Sequence, residues 1–331
     1  MKNTRSILKK SSFILLILTA LFSNLKAQEV RFNDVQNMNV WYNQSLKVNQ
    51  SREFRSAFRK VEYEGILAFN TNAVLLNIPL LNKEERENSE KDNYFNVSAG
   101  AAFESNGDVF KQSLGLLGIS YAVRLTENKV YASIGFQTVL TQTKISPIGT
   151  GFPDQYNEFG PIPYKASMDP LQTGKRFQMI SLNVGASIFK KSTEKEWYVG
   201  VSLRNANKPF AEDTKKVDYQ LSPAFGSQVG LKLIHDKYEV DYYGLVNLNN
   251  FENEILLGGR SSFYIGKSKK VAEKNAIGFG CAYRLNDALI PSVNLSYEGT
   301  RISFQYDINA SGMNKSIISR SGYEVTIMKN F

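Results

Sequence analysis

Residues 321–331 read S-G-Y-E-V-T-I-M-K-N-F, from Ser321 to Phe331. Tyr323, Val325 and Ile327 alternate with Glu324 and Thr326, and the stretch closes on an aromatic residue. Successive side chains of a strand point to opposite faces. The period of two therefore places Tyr323, Val325, Ile327 and Phe331 on one face and Glu324 and Thr326 on the other.

The same pattern recurs upstream. Phe95, Val97, Ala99, Ala101 and Phe103 oppose Asn96, Ser98 and Gly100. Val130, Ala132, Ile134, Phe136 and Leu140 oppose Tyr131, Ser133, Gly135 and Gln137. Ile180 to Ile188, Trp197 to Leu203, Ile277 to Leu285 and Ile302 to Ile308 repeat it. One face is apolar and aromatic, and the other is polar or small. In a soluble sandwich the apolar face lines a core; in a membrane barrel it meets lipid and the polar face lines the lumen. Periodicity alone does not separate the two.

The N-terminal end favours the membrane. Lys2, Arg5, Lys9 and Lys10 precede an apolar run from Phe13 to Phe22, and Leu25-Lys26-Ala27 precedes Gln28. That is the order of an export signal, with cleavage expected between Ala27 and Gln28. The apolar run is short for a membrane-spanning helix. Five of the 40 Lys and Arg (Lys2, Arg5, Lys9, Lys10, Lys26) and no acid lie in this segment, so the mature chain carries a net charge of +4 rather than +9. No dense basic patch interleaved with aromatics remains, which argues against a nucleic-acid partner. Mean hydropathy is negative, as a barrel allows, because only alternate residues face lipid. An amphipathic last strand ending on Phe resembles the signal that outer-membrane barrels present to their assembly machinery. That assigns Tyr323, Val325, Ile327 and Phe331 to barrel assembly.

About fourteen strands are expected, near 53–60, 67–79, 94–104, 113–125, 129–141, 177–189, 196–204, 224–234, 238–247, 254–265, 275–285, 290–299, 301–309 and 321–331. The fold class is all-β: an antiparallel transmembrane outer-membrane β-barrel over 52–331. An even strand count puts both termini on the periplasmic side. Connections at Thr126–Asn128, His235–Lys237 and Gly299-Thr300 are then short periplasmic turns, and Gln142–Arg176 and Asn205–Pro223 are long outer loops. The charged stretch Lys83–Asn93 departs from that rule. Residues 28–51 are polar, with Trp41 and Tyr42, and form a periplasmic leader or a plug in the lumen.

Residues for chemistry are few. His235, the single histidine, lies in the turn I-H-D-K-Y beside Asp236 and reads as solvated. No serine motif accompanies it, so an outer-membrane hydrolase is poorly supported. Cys281 is the single cysteine; it forms no internal disulfide, builds no thiolate metal site, and reads as inert on an apolar face. No phosphate-binding glycine loop or EF-hand loop is present. No catalytic residue, cofactor or metal is expected. Arg204, Arg260, Arg284, Arg301, Glu254, Glu298 and Asp307 fall on or near the polar face, where they would pair across a lumen or line a channel.

The C-terminal third carries a family likeness. N-A-I-G-F-G-C-A-Y-R-L-N-D (Asn275–Asp287), V-N-L-S-Y (Val293–Tyr297), I-S-F-Q-Y-D (Ile302–Asp307) and the final S-G-Y-E-V-T-I-M-K-N-F resemble the PorP/SprF family. These are outer-membrane proteins of the type IX secretion and gliding-motility apparatus of Bacteroidetes. Ser120–Ala122, the Val130–Leu140 strand and R-N-A-N-K-P (Arg204–Pro209) fit the family order. W-Y-N-Q-S-L-K (Trp41–Lys47) stands where members often carry Asn-Pro-Ala, and Tyr323-Glu324 stands for His-Glu in the last strand. These departures bear on the partner served rather than on the fold.

The resemblance implies a non-enzymatic barrel in the cell outer membrane that assists secretion or surface anchoring of a large client protein. Its partners would be membrane lipid, type IX secretion and gliding components, the barrel assembly machinery and a large secreted surface protein. An outer-membrane porin or hydrophobic-solute transporter is the alternative.

Overall fold

The computed structural model describes residues 30–46, 50–63, 67–81, 92–107, 110–146, 155–157, 160–162, 175–211, 220–249, 253–266, 275–311 and 320–331. Fourteen antiparallel strands close into one barrel. They are β1 (Glu53–Tyr63), β2 (Leu67–Pro79), β3 (Asn93–Asn106), β4 (Phe110–Thr126), β5 (Val130–Ile145), β6 (Lys175–Lys190) and β7 (Lys195–Arg204). Then follow β8 (Ala224–Ile234), β9 (Tyr238–Leu248), β10 (Asn253–Ile265), β11 (Asn275–Arg284), β12 (Ala288–Tyr297), β13 (Thr300–Asn309) and β14 (Arg320–Asn330). Each strand pairs with its sequence neighbours, and β14 closes on β1 from Glu53↔Asn330 to Tyr63↔Arg320. Beyond the last pair, the Phe331 amide donates to the Arg52 carbonyl at 3.1 Å.

Burial resolves what periodicity leaves open. Phe95, Phe136, Leu182, Phe279 and Phe304 are exposed, while Asn96, Gln137, Ser181, Arg260 and Gln305 are buried. The apolar face is outside and the polar face inside, the arrangement of a barrel in lipid rather than of a soluble core. Cys281 is exposed on the apolar outer face. Among the described residues no helix is long and apolar enough to cross a membrane, and the strands do the crossing.

All fourteen expected strands are present, with shifted ends. β12 and β13 meet one residue earlier than expected, at Glu298-Gly299 rather than Gly299-Thr300, where φ is +46° and +73°. A two-residue turn with both central residues at positive φ matches the right-handed twist of the flanking strands. Gly299 tolerates that conformation readily, and Glu298 adopts it under the constraint of the hairpin. The connection between β2 and β3 lies at the end of the barrel where β1 begins and β14 finishes, as expected; residues 82–91 within it are outside the described residues. The N-terminal segment departs from the expectation of both termini there: Arg31 lies at the opposite end, with Tyr63, Asp287 and Arg320.

The barrel is taller on one side. β3 to β6 have 14, 17, 16 and 16 residues, whereas β7 has 10. β5 and β6 pair up to Ile145↔Lys175, but β6 and β7 stop at Val184↔Leu203. A step in the wall results, at the end opposite Glu53 and Phe331. Between β5 and β6, Tyr156–Asn157 pairs with Gly160–Pro161 in a separate two-stranded ribbon.

The terminal residue completes the β1–β14 closure, so its removal tests that closure. Deletion of Phe331 is expected to lower the amount of folded, heat-modifiable barrel in outer membranes several-fold. Wild-type abundance and migration of the truncated protein would remove the assembly role from Phe331.

Candidate functional site

The lumen is filled by the chain's own N-terminal segment. Residues 30–46 lead into β1, include one short helical turn, α1 (Asn39–Tyr42), and are almost entirely buried. Phe32, Val35, Met38, Val40, Trp41 and Tyr42 form an apolar cluster with inward residues such as Leu75, Leu116, Leu245 and Leu256. The Phe32 ring meets Trp41 edge-on at 5.6 Å, and its amide donates to the Tyr42 hydroxyl at 2.9 Å. Burial pushes the Tyr42 hydroxyl well above its ordinary pKa, and the Glu254 carboxylate adds to the effect.

One wall holds the segment by charge. Glu324 on β14 accepts from two successive amides, Asn33 N–H at 2.7 Å and Asp34 N–H at 2.9 Å. Thr326 donates to Asp34 Oδ2 at 2.8 Å, and Arg284 Nη2 donates to Asn33 Oδ1 at 2.6 Å. Asn33 Nδ2 donates to Asp307. Arg55 Nη1 donates to the Asn37 carbonyl at 2.6 Å, and Arg260 Nη2 donates to Gln36 Oε1 at 2.6 Å. Charges placed out of water must be paired, and these are. Arg59 lies 3.1 Å from Asp307, Arg260 3.1 Å from Asp241, Arg284 3.0 Å from Glu254, and Arg55 2.7 Å from Glu53. At the end opposite Glu53 and Phe331, Arg284 and Arg320 both pair with Asp287. Burial there works against the Asp287 charge, but the two guanidiniums outweigh it and hold the carboxyl below its ordinary pKa.

The opposite wall holds the segment by fit. Gly135 on β5 and Gly185 on β6 are direct partners in the sheet. A Cβ at Gly135 would stand 2.6 Å from the Ser45 nitrogen and 2.7 Å from the Gln44 carbonyl carbon, so backbone lies on backbone there. Gly118 and Gly200 are likewise closed by Gln44, Asn43 and Leu46. Neutral bonds complete the contact. Gln44 Nε2 donates to Ser98 Oγ at 2.8 Å, Ser187 Oγ to the Ser45 carbonyl at 2.9 Å, and Asn43 Nδ2 to the Val201 carbonyl at 3.0 Å. Nearer the end with Glu53 and Phe331, Tyr131 stacks on Phe189 at 5.2 Å and meets Tyr94 at 6.2 Å inside the wall.

The sequence-expected residues fall in three places. Arg204, Arg260, Arg284, Glu254 and Asp307 are buried in the lumen, and Arg301 is half-buried with Nη2 3.0 Å from Glu239. Glu298 departs from the expectation: it sits in the β12–β13 turn at positive φ, exposed and outside the lumen. Tyr323, Val325 and Ile327 lie together on the outer face of β14, with Phe331 exposed just past its end. Tyr323 packs between Phe58 and Phe304 at 5.9 and 6.4 Å. Ala27 and Gln28 lie outside the described residues. His235 is exposed in its turn, its ring 4.6 Å from that of Tyr238. Glu324, Arg55, Arg59 and Asp241 were not singled out from the sequence as lumen contacts; the period-two pattern places Glu324 inward but names no partner for it.

A polar lumen occupied by its own chain, inside an apolar-faced barrel, is the setting in which the comparisons with known proteins are to be weighed. A family model described as "Type IX secretion system membrane protein PorP/SprF" matches residues 64–328. The chain belongs to the PorP/SprF family. It is an outer-membrane β-barrel, and its family is one of secretion membrane proteins rather than of enzymes. No individually curated protein matches it in sequence. Among solved structures it is similar to the CymD monoaromatic hydrocarbon channel, at 12% identity and a TM-score of 0.50 over 92% of this chain and 95% of that one. It is similar also to the deltaS2S3 mutant of the TodX monoaromatic hydrocarbon channel, at 7% identity and 0.50 over 94% and 97%. A FadL homologue from Pseudomonas aeruginosa follows at 9% identity and 0.46, over 84% and 88%. At these identities the likeness is one of fold alone. The family match begins at residue 64, so the segment that fills the lumen of this PorP/SprF barrel lies before it.

Two substitutions separate the two walls. Glu324→Ala strips the acceptor from two buried amides and leaves Arg59 with less counter-charge. It is expected to lower barrel stability by about 3 kcal/mol, read as a fall in the heat-modification midpoint. Gly135→Val places side-chain atoms where the Ser45 backbone lies. In a Cys281→Ser background, a cysteine in place of the buried Ser45 is expected to resist maleimide in the otherwise wild-type barrel and to label once Gly135→Val is added. Equal labelling in both would show that the segment does not depend on the glycine wall.

Proposed function

We propose that this PorP/SprF barrel is a non-enzymatic outer-membrane component of the type IX secretion and gliding machinery that assists secretion or surface anchoring of a large client protein. The observation that carries the reading is the filled lumen. A segment held by charge on one wall and by close backbone contact on the other leaves little room for a solute path, so the barrel acts through its surfaces. Under this reading an export signal is cleaved between Ala27 and Gln28. The end with Glu53 and Phe331 faces the periplasm, and the tall β3–β6 wall faces outward. Periplasmic turns then meet other secretion components, and the outer loops meet the client. Tyr323, Val325, Ile327 and Phe331 are read by the barrel assembly machinery. The family match supports the secretion system as the setting, and fold likeness to hydrocarbon channels does not by itself favour transport.

Two measurements test the reading. A tag between Ile145 and Lys175, used for native recovery from outer membranes, is expected to bring down secretion components or one large surface protein. In planar bilayers the intact barrel is expected to show no steady conductance, and a variant lacking residues 30–46 is expected to conduct. Recovery of the barrel alone, together with steady conductance of the intact protein, would replace this reading with a porin or hydrophobic-solute transporter.

A further inference from the structure

The step between β6 and β7 leaves a strand edge open beside an apolar groove. β6 continues beyond its last β7 pair, Val184↔Leu203, while remaining fully paired with β5 on its other side. The Leu182 carbonyl accepts from the Ala206 amide at 2.9 Å, and after that no strand among the described residues continues the ladder. Asn207 takes the place of one more peptide group. Its Oδ1 accepts from Leu182 N–H at 2.9 Å, and its Nδ2 donates to the Ile180 carbonyl at 2.8 Å. Both bonds point away from β5. The amide and carbonyl of one residue in an antiparallel strand point to the same side, and the sides alternate. The backbone groups of Gln178 and Arg176 therefore point to the open side too, as does the Ile180 amide.

Against this edge lies a groove of about 630 Å³, lined by outward Leu117, Ile119, Phe136, Leu182 and Val184 and bounded by Ala206 and Asn207. Along the edge the exposed side chains change from Leu182 and Ile180 to Gln178 and Arg176. The edge thus climbs out of the apolar band into polar surroundings. That placement fits the physics, since an unpaired sheet edge is not sustained in hydrocarbon.

The geometry points to this edge as a docking site for an extended segment of the secreted client, added as a strand beside residues 176–180. The open main-chain donors and acceptors select an extended polypeptide over lipid or a small solute, because they satisfy only another ladder. The exposed Ile180, with Leu182 at the foot of the edge, selects a segment with apolar residues at alternate positions, which would pack outward beside Ile180. This assignment rests on the proposed client role and names the surface that serves it.

A photo-reactive benzoylphenylalanine replacing Gln178, in cells that carry the secretion system, tests the assignment. A control replaces Leu257, which is exposed on the far wall. Cross-linking to the client at 178 and not at 257 is expected. Ile180→Pro removes an edge donor that β5 does not use, at a position where an edge strand accepts proline. With a probe retained at Gln178, it is expected to lower the cross-link about tenfold, the effect of losing roughly one hydrogen bond's free energy, at unchanged barrel abundance and heat-modification. A cross-link from 178 to residues 212–219 of the same chain would overturn the assignment, because the edge would be closed internally. Absence of any protein cross-link, or an unchanged cross-link in Ile180→Pro, would overturn it as well. If the tagged barrel still recovers the client, only the docking edge has failed; if it recovers nothing, the client role fails with it.

Discussion

A closed barrel with a polar inner face must satisfy that face with something. Strand alternation puts apolar side chains toward lipid, and the same geometry forces Arg, Asp, Glu, Asn and Ser inward. Left unpaired in a narrow lumen, each such group costs free energy. Here the answer is the N-terminal segment. Glu324 receives two of its amides, Arg55 and Arg260 donate to it, and Asn33 joins Arg284 to Asp307. Removing the segment would leave a ring of charges whose partners include its own backbone.

The two walls meet this constraint differently. β8 to β14 and β1 supply charges, and their contacts fall mainly on Asn33 to Asn39. β3 to β7 supply Ser98, Gln137, Ser187 and the glycines, and their contacts fall mainly on Val40 to Leu46. Charge gives direction and strength to the first contact. Close packing gives register to the second, because Gly135 admits only backbone at its inner surface.

Much of the wall was legible in the sequence. A period of two read in Ser321–Phe331 and repeated in segment after segment gave all fourteen strands, and the exposed Phe136 and buried Gln137 lie on the faces that alternation assigns. Ends were less legible. The β12–β13 turn slipped one residue because Glu298 at positive φ is set by hairpin twist rather than by residue preference. Partners were least legible. Glu324 read as inward, but its contacts are 290 and 291 residues away, and alternation carries no information about what occupies a lumen. Trp41 and Tyr42 hinted that residues 28–51 bury an aromatic pair. Gly135 and Gly185 read only as small residues on the polar face, since a close approach is visible only when both surfaces are present.

The filled lumen and the open edge share one wall. Gly118 and Gln137 are sheet partners whose inner side meets the segment and whose outer side borders the groove. Gln137 donates to the Val40 carbonyl at 3.3 Å and accepts from Asn183 at 2.8 Å, and Asn183 accepts from the Asn205 amide at 2.9 Å. Two residues on, Asn207 caps the edge of β6. A run of hydrogen bonds therefore joins α1 inside the barrel to Asn205, two residues before the one that occupies the ladder outside it. Contact of this kind becomes communication only if one member has two stable arrangements. A strand added at the level of Asn207 would compete with its amide for the Leu182 N–H and the Ile180 carbonyl, at a point two residues from the Asn205–Asn183 bond.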